Sequence, residues 1–246
     1  MDEVTEDRLL GGRVILRQPT DGYRAGLDAA LLAAACDAAP GDRVLEAGCG
    51  PGGALLAAAA RRPGCAFTGI EREADALALA QANIATNGMA DRVDALAGDV
   101  ARGFRALGLE RFDQVLANPP FFDDPASLRG PTPARRAAWI ADDGLAAWTD
   151  FMLAAARDGG SLVIIHRADR LADLLHLMGA KAGSMQVRPV HPFADAPAKR
   201  VLVRAVRGGK APLQLLPPLV LHDRDGGKHR PDVEAILRGE ASLSWS

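Results

Sequence analysis

Short apolar runs alternate with longer amphipathic segments along most of the chain. Five apolar runs of strand length end in polar turns, and three segments with the helical apolar period lie among them. The strand patterns cover residues 43–48, 66–71, 92–99, 112–117 and 161–169, and the helical patterns cover residues 54–62, 73–88 and 144–159. Because parallel strands require crossover connections, this alternation predicts a parallel sheet covered by helices on both faces.

The last part of the pattern departs from this alternation. A helical segment at residues 168–180 is followed by strand patterns at 185–190 and 200–206, which are joined by a loop rather than by a helix. A loop of that length permits an antiparallel pair at one edge. The sequence therefore predicts an α/β fold with a Rossmann-like, seven-stranded, mostly parallel sheet whose last strand is antiparallel, with helices on both faces.

Segments on both sides of this core have their own patterns. A Gly-Gly pair before a β-branched run predicts a hairpin near residues 9–18, and Asp28 is predicted as the N-cap of a helix that ends before Pro40. The tail reads as an extended segment, a Gly-Gly turn and a short helix that begins at Pro231. We expect a hairpin and helix in residues 1–40, the core in 41–210 and a basic C-terminal extension packed on the core in 211–246.

Composition excludes several classes of protein. Of the 246 residues, 48% are hydrophobic, 24% charged and 4% aromatic, which is typical of a globular chain and not of a disordered or collagen-like one. Three cysteines without a CxxC spacing encode neither a disulfide framework nor a zinc knuckle, so a reducing compartment is expected. The start of the chain has no apolar leader, and no window reaches the length of a membrane span, which predicts a cytoplasmic protein.

The formal net charge of −2 conceals an uneven distribution. Residues 1–180 hold 18 Lys and Arg against 25 Asp and Glu, whereas residues 181–246 hold 11 against 6. A basic end of this kind suits a polyanionic partner, and a solvated face is the plainer interpretation.

A glycine-rich turn, EAGCGPGG at residues 46–53, follows the first core strand and precedes a helix. Ligands of such sheets bind beyond the carboxyl ends of the strands, where glycine lets the backbone come close. The glycines also match the GxGxxG dinucleotide fingerprint, so an NAD site is an alternative. However, Glu46 would repel a pyrophosphate and could pair with an amino group. Glu71 and Asp99 end the next two strand patterns, where acids can bind ribose hydroxyls and an adenine amino group.

The tetrapeptide Asn118-Pro119-Pro120-Phe121 follows the strand pattern at 112–117. Two prolines remove two backbone donors and leave carbonyl groups, so the turn offers hydrogen-bond acceptors. The Asn118 side-chain carbonyl and the Pro119 backbone carbonyl can accept both hydrogens of a planar amino group. Acceptors suited to a pyramidal nitrogen stabilise the transition state and free the lone pair to attack a methyl donor. Phe121 offers a ring on which a base can stack.

Together these motifs resemble the class I S-adenosylmethionine (SAM)-dependent methyltransferases that methylate amino groups. Residues 9–33 and 221–239 further resemble the bacterial tRNA(Val) anticodon-loop adenine N6-methyltransferases. The resemblance implies that Asn118, Pro119, Pro120 and Phe121 bind the target amine. It implies a SAM site formed by Arg24, Asp28, Glu46, Gly48, Cys49, Gly50, Glu71, Asp99 and Asn118. Within that site, Glu46 and the glycines would hold the methionine part, Glu71 the ribose and Asp99 the adenine. The family commonly has Tyr at the position of Phe121, so stacking is kept and a hydroxyl contact is lost.

The predicted function is transfer of a methyl group to the N6 amino group of adenine, with tRNA as the substrate and without a metal. Methylation of a protein glutamine in a release-factor-like substrate is the nearest alternative, since the same acceptors suit any planar amide. DNA adenine, an NAD-dependent oxidoreductase and a non-catalytic binding module are further alternatives. The loop at residues 122–143 is either a substrate lid or a solvated loop. The sequence carries no signal of the oligomeric state.

Overall fold

The computed structural model describes residues 4–20, 24–120 and 144–245. Its strands are β1 (Val4–Leu9), β2 (Val14–Pro19), β3 (Arg43–Ala47), β4 (Ala66–Glu71), β5 (Val93–Ala97), β6 (Phe112–Ala117), β7 (Ala156–Arg167), β8 (Ala182–His191), β9 (Arg200–Arg207), β10 (Gln214–Leu215) and β11 (Leu219–Val220). Its α-helices are α1 (Leu27–Ala35), α2 (Gly53–Arg61), α3 (Ala74–Thr86), α4 (Leu145–Ala155), α5 (Leu171–Gly179) and α6 (Pro231–Arg238).

The central sheet has the predicted Rossmann-like topology. Its strand order is β10-β8-β9-β7-β6-β3-β4-β5, and β11 also pairs with β8. Strands β3 to β7 are mutually parallel, while β9 lies antiparallel between β7 and β8. The seven-stranded prediction with a reversed last strand is therefore confirmed for the core. The tail adds the two short strands β10 and β11, which the sequence pattern did not distinguish from an extended segment.

Residues on alternate sides of each strand build two hydrophobic clusters, one on each face of the sheet. Val44 and Leu116 belong to the cluster with α1, α2, α3 and α6, whereas Leu45 and Val115 belong to the cluster with α4 and α5. This is the period of two that a strand imposes on its side chains. Helices on both faces leave the carboxyl edge of the sheet as the place for a ligand.

Two predicted boundaries are wrong. The N-cap of α1 is Gly26, and Asp28 lies in the first helical turn, where its carboxylate pairs with Arg200 Nε at 2.9 Å. A helix was expected up to residue 159, but α4 ends at Ala155 and β7 begins directly at Ala156. The register between β6 and β7 shifts at this point, which lets the early part of β7 join the sheet. An irregular pairing of this kind leaves no signal in the local pattern of apolar residues.

The N- and C-terminal segments meet on one face of the core. Trp245 Nε1 donates to the Ala35 carbonyl at 2.8 Å, and Arg61 Nη1 donates to the Ala241 carbonyl at 2.8 Å. Arg13 of the hairpin turn donates to the Gly239 carbonyl at 3.0 Å. The tail thus connects α1, α2 and the hairpin. Within the described residues, no helix combines the length and the apolar character that a membrane crossing requires.

The charge of the C-terminal region is largely compensated inside the molecule. Six arginines of residues 181–246 pair with acids, namely Arg200 with Asp28, Arg204 with Asp37, Arg207 with Asp158, Arg224 with Asp195, Arg230 with Asp223 and Arg238 with Glu234. Residues 211–246 hold four Lys and Arg against five Asp and Glu, so the excess of basic residues lies in 181–210. The expectation of a basic extension at 211–246 is therefore wrong.

Candidate active site

The candidate site lies at the carboxyl edge of the sheet, where β3, β4, β5 and β6 end side by side. Ala47 of β3 pairs with Ala117 of β6, so the glycine turn and the Asn-Pro-Pro turn start from neighbouring positions. Adjacent strands are about 4.8 Å apart, so Gly48 and Asn118 lie close together at this edge and border the candidate cleft. The sequence places Glu71 and Asp99 at the ends of the next two strands, and the sheet order brings them to the same edge.

The glycine turn has a backbone that other residues rarely adopt. Gly48, Gly50 and Gly52 have φ angles of +64°, +55° and +92°. In this left-handed region a Cβ atom costs about 1 to 2 kcal/mol, which explains why glycines recur there. The turn is bound to β4, because Cys49 N donates to the Ile70 carbonyl at 3.0 Å.

Glu71 organises the turn through both of its carboxylate oxygens. Oε2 accepts from Gly50 N at 2.9 Å, and Oε1 accepts from Arg72 N at 2.8 Å and from Glu73 N at 2.9 Å. The side chain is 9% exposed and is therefore held in one orientation at the end of β4. An acid fixed in this way presents its remaining acceptor capacity to a ligand at the edge.

Glu46 is the most unusual charged group of the site. Its side chain is 3% exposed, and Oε2 has no hydrogen-bond partner among the described residues. Burial, and secondly the nearby Glu71 carboxylate, raises the pKa of Glu46 well above its ordinary range. A buried carboxyl oxygen without a partner is costly unless a ligand satisfies it. The amino group of a methionine moiety has the charge and the donors for this position.

The Cys49 side chain points into the core and away from the cleft. A Cβ added at Gly69 would lie 2.6 Å from Cys49 Sγ, so the thiol fills the space that this glycine leaves. Burial raises the pKa of the Cys49 thiol well above its ordinary value. The predicted contribution of Cys49 to a SAM site stays a prediction, and the buried thiol leaves the Cys49 backbone as the part that could make it.

The remaining residues predicted at this edge differ in their surroundings. Asp99 Oδ1 accepts from Ala101 N at 2.9 Å and caps a 3-10 turn, and its contact with adenine stays a prediction. Asn118 Oδ1 is shielded from solvent, Pro119 is buried and Pro120 is exposed. Phe121 and the loop at 122–143, which were predicted to stack on the base and to cover the substrate, lie outside the described residues.

Arg24 and Asp28 bond to other parts of the protein. The Arg24 guanidinium binds Asp7 Oδ2 at 2.6 Å and the Pro19 carbonyl at 2.8 Å, which ties it to the hairpin. The next residue, Ala25, packs on the start of α2, since a Cβ at Gly53 would lie 2.3 Å from Ala25 Cβ. Arg24 thus holds the hairpin beside the glycine turn, and direct contact of either side chain with SAM stays a prediction.

Trp148 is a site residue that the sequence reasoning missed. It lies on α4, and its ring covers Gly48 so closely that an added Cβ would be 2.3 Å from Cη2. The helical pattern at 144–159 contains Trp148, but nothing in the local pattern indicates that its ring reaches the first glycine of the turn. Trp148 therefore forms one wall of the glycine turn.

The described residues fit a SAM molecule. The left-handed glycines keep side chains out of the turn, and the partnerless Glu46 oxygen lies beside it. Glu46 and the glycine turn would hold the methionine part, and Glu71 and Asp99 would hold the nucleoside part. In the described ranges, no group of three or more His, Cys, Asp or Glu side chains could hold a metal ion.

Comparison with known proteins agrees with this geometry. Residues 24–129 match the family described as methyltransferase small domain. A tRNA1(Val) (adenine(37)-N6)-methyltransferase from Porphyromonas gingivalis is 30% identical over 190 residues, which cover 73% of this chain and 72% of that protein. A release factor glutamine methyltransferase from Chlorobaculum tepidum is 28% identical over 165 residues, covering 64% of this chain and 56% of that protein.

A solved structure extends the similarity over nearly the whole fold. The crystal structure of a predicted O-methyltransferase from Agrobacterium tumefaciens superposes with a TM-score of 0.74 and 25% identity, covering 88% of this chain and 98% of that one. The sheet order, the glycine turn and these relatives lead to one conclusion. The chain belongs to the SAM-dependent methyltransferases, in the family of the tRNA1(Val) adenine N6-methyltransferases.

Proposed function

We propose that this protein transfers a methyl group to the N6 amino group of an adenine in tRNA. The observation that carries the proposal is the pairing of Ala47 with Ala117, which starts the glycine turn and the Asn-Pro-Pro turn side by side. A planar nitrogen bound at the second turn would face the methyl donor held at the first. RNA binding in the cytoplasm, where tRNA is modified, is part of the same proposal.

The residues of the cleft have distinct tasks in this reaction. When bound, SAM supplies a methyl group attached to a positively charged sulfur, which is a good leaving group. The Asn118 side-chain oxygen and the Pro119 carbonyl would accept the two hydrogens of the adenine amino group. This arrangement favours a pyramidal nitrogen whose lone pair is free to attack. Holding both partners in one cleft supplies much of the remaining acceleration.

The relatives support adenine more strongly than glutamine as the target. The matched adenine N6-methyltransferase aligns over 72% of its own length, whereas the glutamine methyltransferase from Chlorobaculum tepidum aligns over 56%. Little more than half of that relative is therefore represented here. An adenine in an anticodon loop can be flipped or splayed into a cleft, as for other enzymes that modify bases.

A transfer assay with separated substrates tests the proposal. The protein would be incubated with methyl-labelled SAM and, in parallel, with unmodified tRNA, ribosomal RNA, duplex DNA or release factor. We expect label in tRNA, and we expect Asn118→Ala protein to transfer it about a thousandfold more slowly. Label that enters only release factor would replace tRNA by a protein glutamine as the substrate, and label only in DNA would overturn the tRNA assignment.

The surroundings of Glu46 predict a pH dependence of ligand binding. Its raised pKa means that the free protein keeps this carboxyl protonated at a higher pH than usual. A bound ammonium group favours the ionised carboxylate, so binding releases a proton from Glu46. The affinity for the ligand therefore rises with pH until Glu46 is already ionised in the free protein. The dissociation constant of S-adenosylhomocysteine should therefore fall by up to about tenfold per pH unit below that raised pKa.

Calorimetry in buffers of different ionisation enthalpy measures this released proton. The control is Glu46→Gln, which keeps the shape of the side chain and cannot ionise. We expect it to bind more weakly and to lose the pH dependence, and in the free protein to be more stable than the wild type at neutral pH. Identical pH profiles for the two proteins would contradict the assigned role of Glu46.

A further inference from the structure

Asn83 in the last turn of α3 and Asn87 at its C-cap bind the edge of the N-terminal hairpin. Asn83 and Asn87 are one helical turn apart and lie on the same face of the helix. Asn87 accepts from Ile15 N at 2.9 Å and donates to the Ile15 carbonyl at 2.7 Å. Asn83 accepts from Arg17 N at 2.9 Å and donates to the Arg17 carbonyl at 2.8 Å. Each amide therefore occupies the place of a neighbouring strand residue along β2.

Asn83 has a further contact that Asn87 lacks. Its Nδ2 also donates to the Pro51 carbonyl at 2.9 Å, and the side chain is fully buried. Both hydrogens of the amide are then used, one on the hairpin and one on the glycine turn. Asn83 thus joins β2 directly to the turn at which SAM binds.

The contact with Pro51 completes the support of the glycine turn. On the opposite side the turn is bound to β4 through Gly50 N and Glu71 Oε2, and through Cys49 N and the Ile70 carbonyl. Proline has no N–H, so the carbonyl is the one backbone polar group by which residue 51 can be fixed. Pro51 stands between two glycines with positive φ, and glycine restricts the backbone less than any other residue.

We infer that Asn83 is a positioning residue for SAM, which couples the N-terminal hairpin to the glycine turn. Through Asn83, a docked hairpin holds the turn in its ligand-binding shape. Coupling of this kind is reciprocal, so a ligand in the turn also stabilises the docked hairpin. This inference concerns cofactor binding and does not depend on the identity of the methyl acceptor.

Paired variants separate positioning from general stability. Asn83→Ala and Asn87→Ala each remove two hydrogen bonds to β2 and one further bond, which goes to the Pro51 carbonyl from Asn83 and to the Asn83 backbone carbonyl from Asn87. We expect both variants to lower the melting temperature. Titration calorimetry with S-adenosylhomocysteine should show a dissociation constant raised about tenfold or more for Asn83→Ala and within about twofold of the wild type for Asn87→Ala.

Equal dissociation constants for the two variants, after both are shown to be folded, would overturn the inference. A second measurement needs no variant. Hydrogen exchange of the wild type should slow in the peptide that contains residues 14–19 when S-adenosylhomocysteine is added, because ligand and hairpin stabilise each other. Unchanged exchange in that peptide, while the glycine turn itself becomes protected, would equally overturn it.

Discussion

Asn118→Ala should lower the turnover number about a thousandfold while leaving the dissociation constant of S-adenosylhomocysteine within about twofold of the wild type. The substitution removes the side-chain acceptor that is needed when the target nitrogen becomes pyramidal. It leaves intact the glycine turn and the two acids Glu46 and Glu71, which form the proposed cofactor side of the cleft. Steady-state kinetics with saturating SAM and tRNA measure the turnover number, and calorimetry measures the dissociation constant.

Asn118→Asp is the informative companion variant. A carboxylate keeps an acceptor oxygen at the end of β6, so this protein should retain far more activity than Asn118→Ala. Asn87→Ala, at the C-cap of α3, controls for loss of an asparagine elsewhere. If Asn118→Ala weakens ligand binding as much as it slows turnover, Asn118 belongs to the cofactor site alone and the target site has been misplaced.

Gly48→Ala should weaken cofactor binding and raise the dissociation constant of S-adenosylhomocysteine about a hundredfold or more. Two effects combine at this position. The φ angle of +64° costs about 1 to 2 kcal/mol for alanine. The new Cβ would also lie 2.3 Å from the Trp148 ring, and relief of such overpacking typically costs about 1 to 3 kcal/mol. Movement of either the turn or the ring changes the shape of the cleft.

Gly88→Ala is a matched control for the backbone effect. Gly88 has a φ of +62° just beyond α3, and a Cβ there would have no neighbour within 4 Å. It should lose about 1 to 2 kcal/mol of stability and bind S-adenosylhomocysteine normally. Adding Trp148→Ala to Gly48→Ala should recover part of the lost affinity. Normal binding by Gly48→Ala alone would mean that the Trp148 ring does not shape the cofactor cleft.

Much of the fold could be predicted because its signals are local. The apolar runs at β3 to β6 indicate buried strands, and the glycine after α3 indicates the end of a helix. Both signals depend only on residues that are adjacent in the sequence. The position of β9 within the sheet depends on pairing with distant strands, and the early start of β7 depends on an irregular register with β6. Neither property produces a repeating pattern of apolar residues that the sequence alone would show.

The candidate site was predictable for the same reason, and only in part. Parallel strands bring their carboxyl ends to one edge, so the motifs at Gly48 and Asn118 could be placed together from their order along the chain. Trp148 and Asn83 reach the glycine turn from separate helices, and such contacts follow from tertiary packing alone. The arginines of the C-terminal region looked available for a polyanion, whereas many of them are paired with acids that lie elsewhere in the sequence.

The most direct test is to identify the atom that receives the methyl group. Labelled tRNA from the transfer assay would be digested to nucleosides and analysed by chromatography and mass spectrometry. The two hydrogen-bond acceptors at Asn118 and Pro119 predict N6-methyladenosine as the labelled product. Label on a ribose oxygen, a ring nitrogen or a ring carbon would contradict the account, because none of these atoms presents two hydrogens to those acceptors.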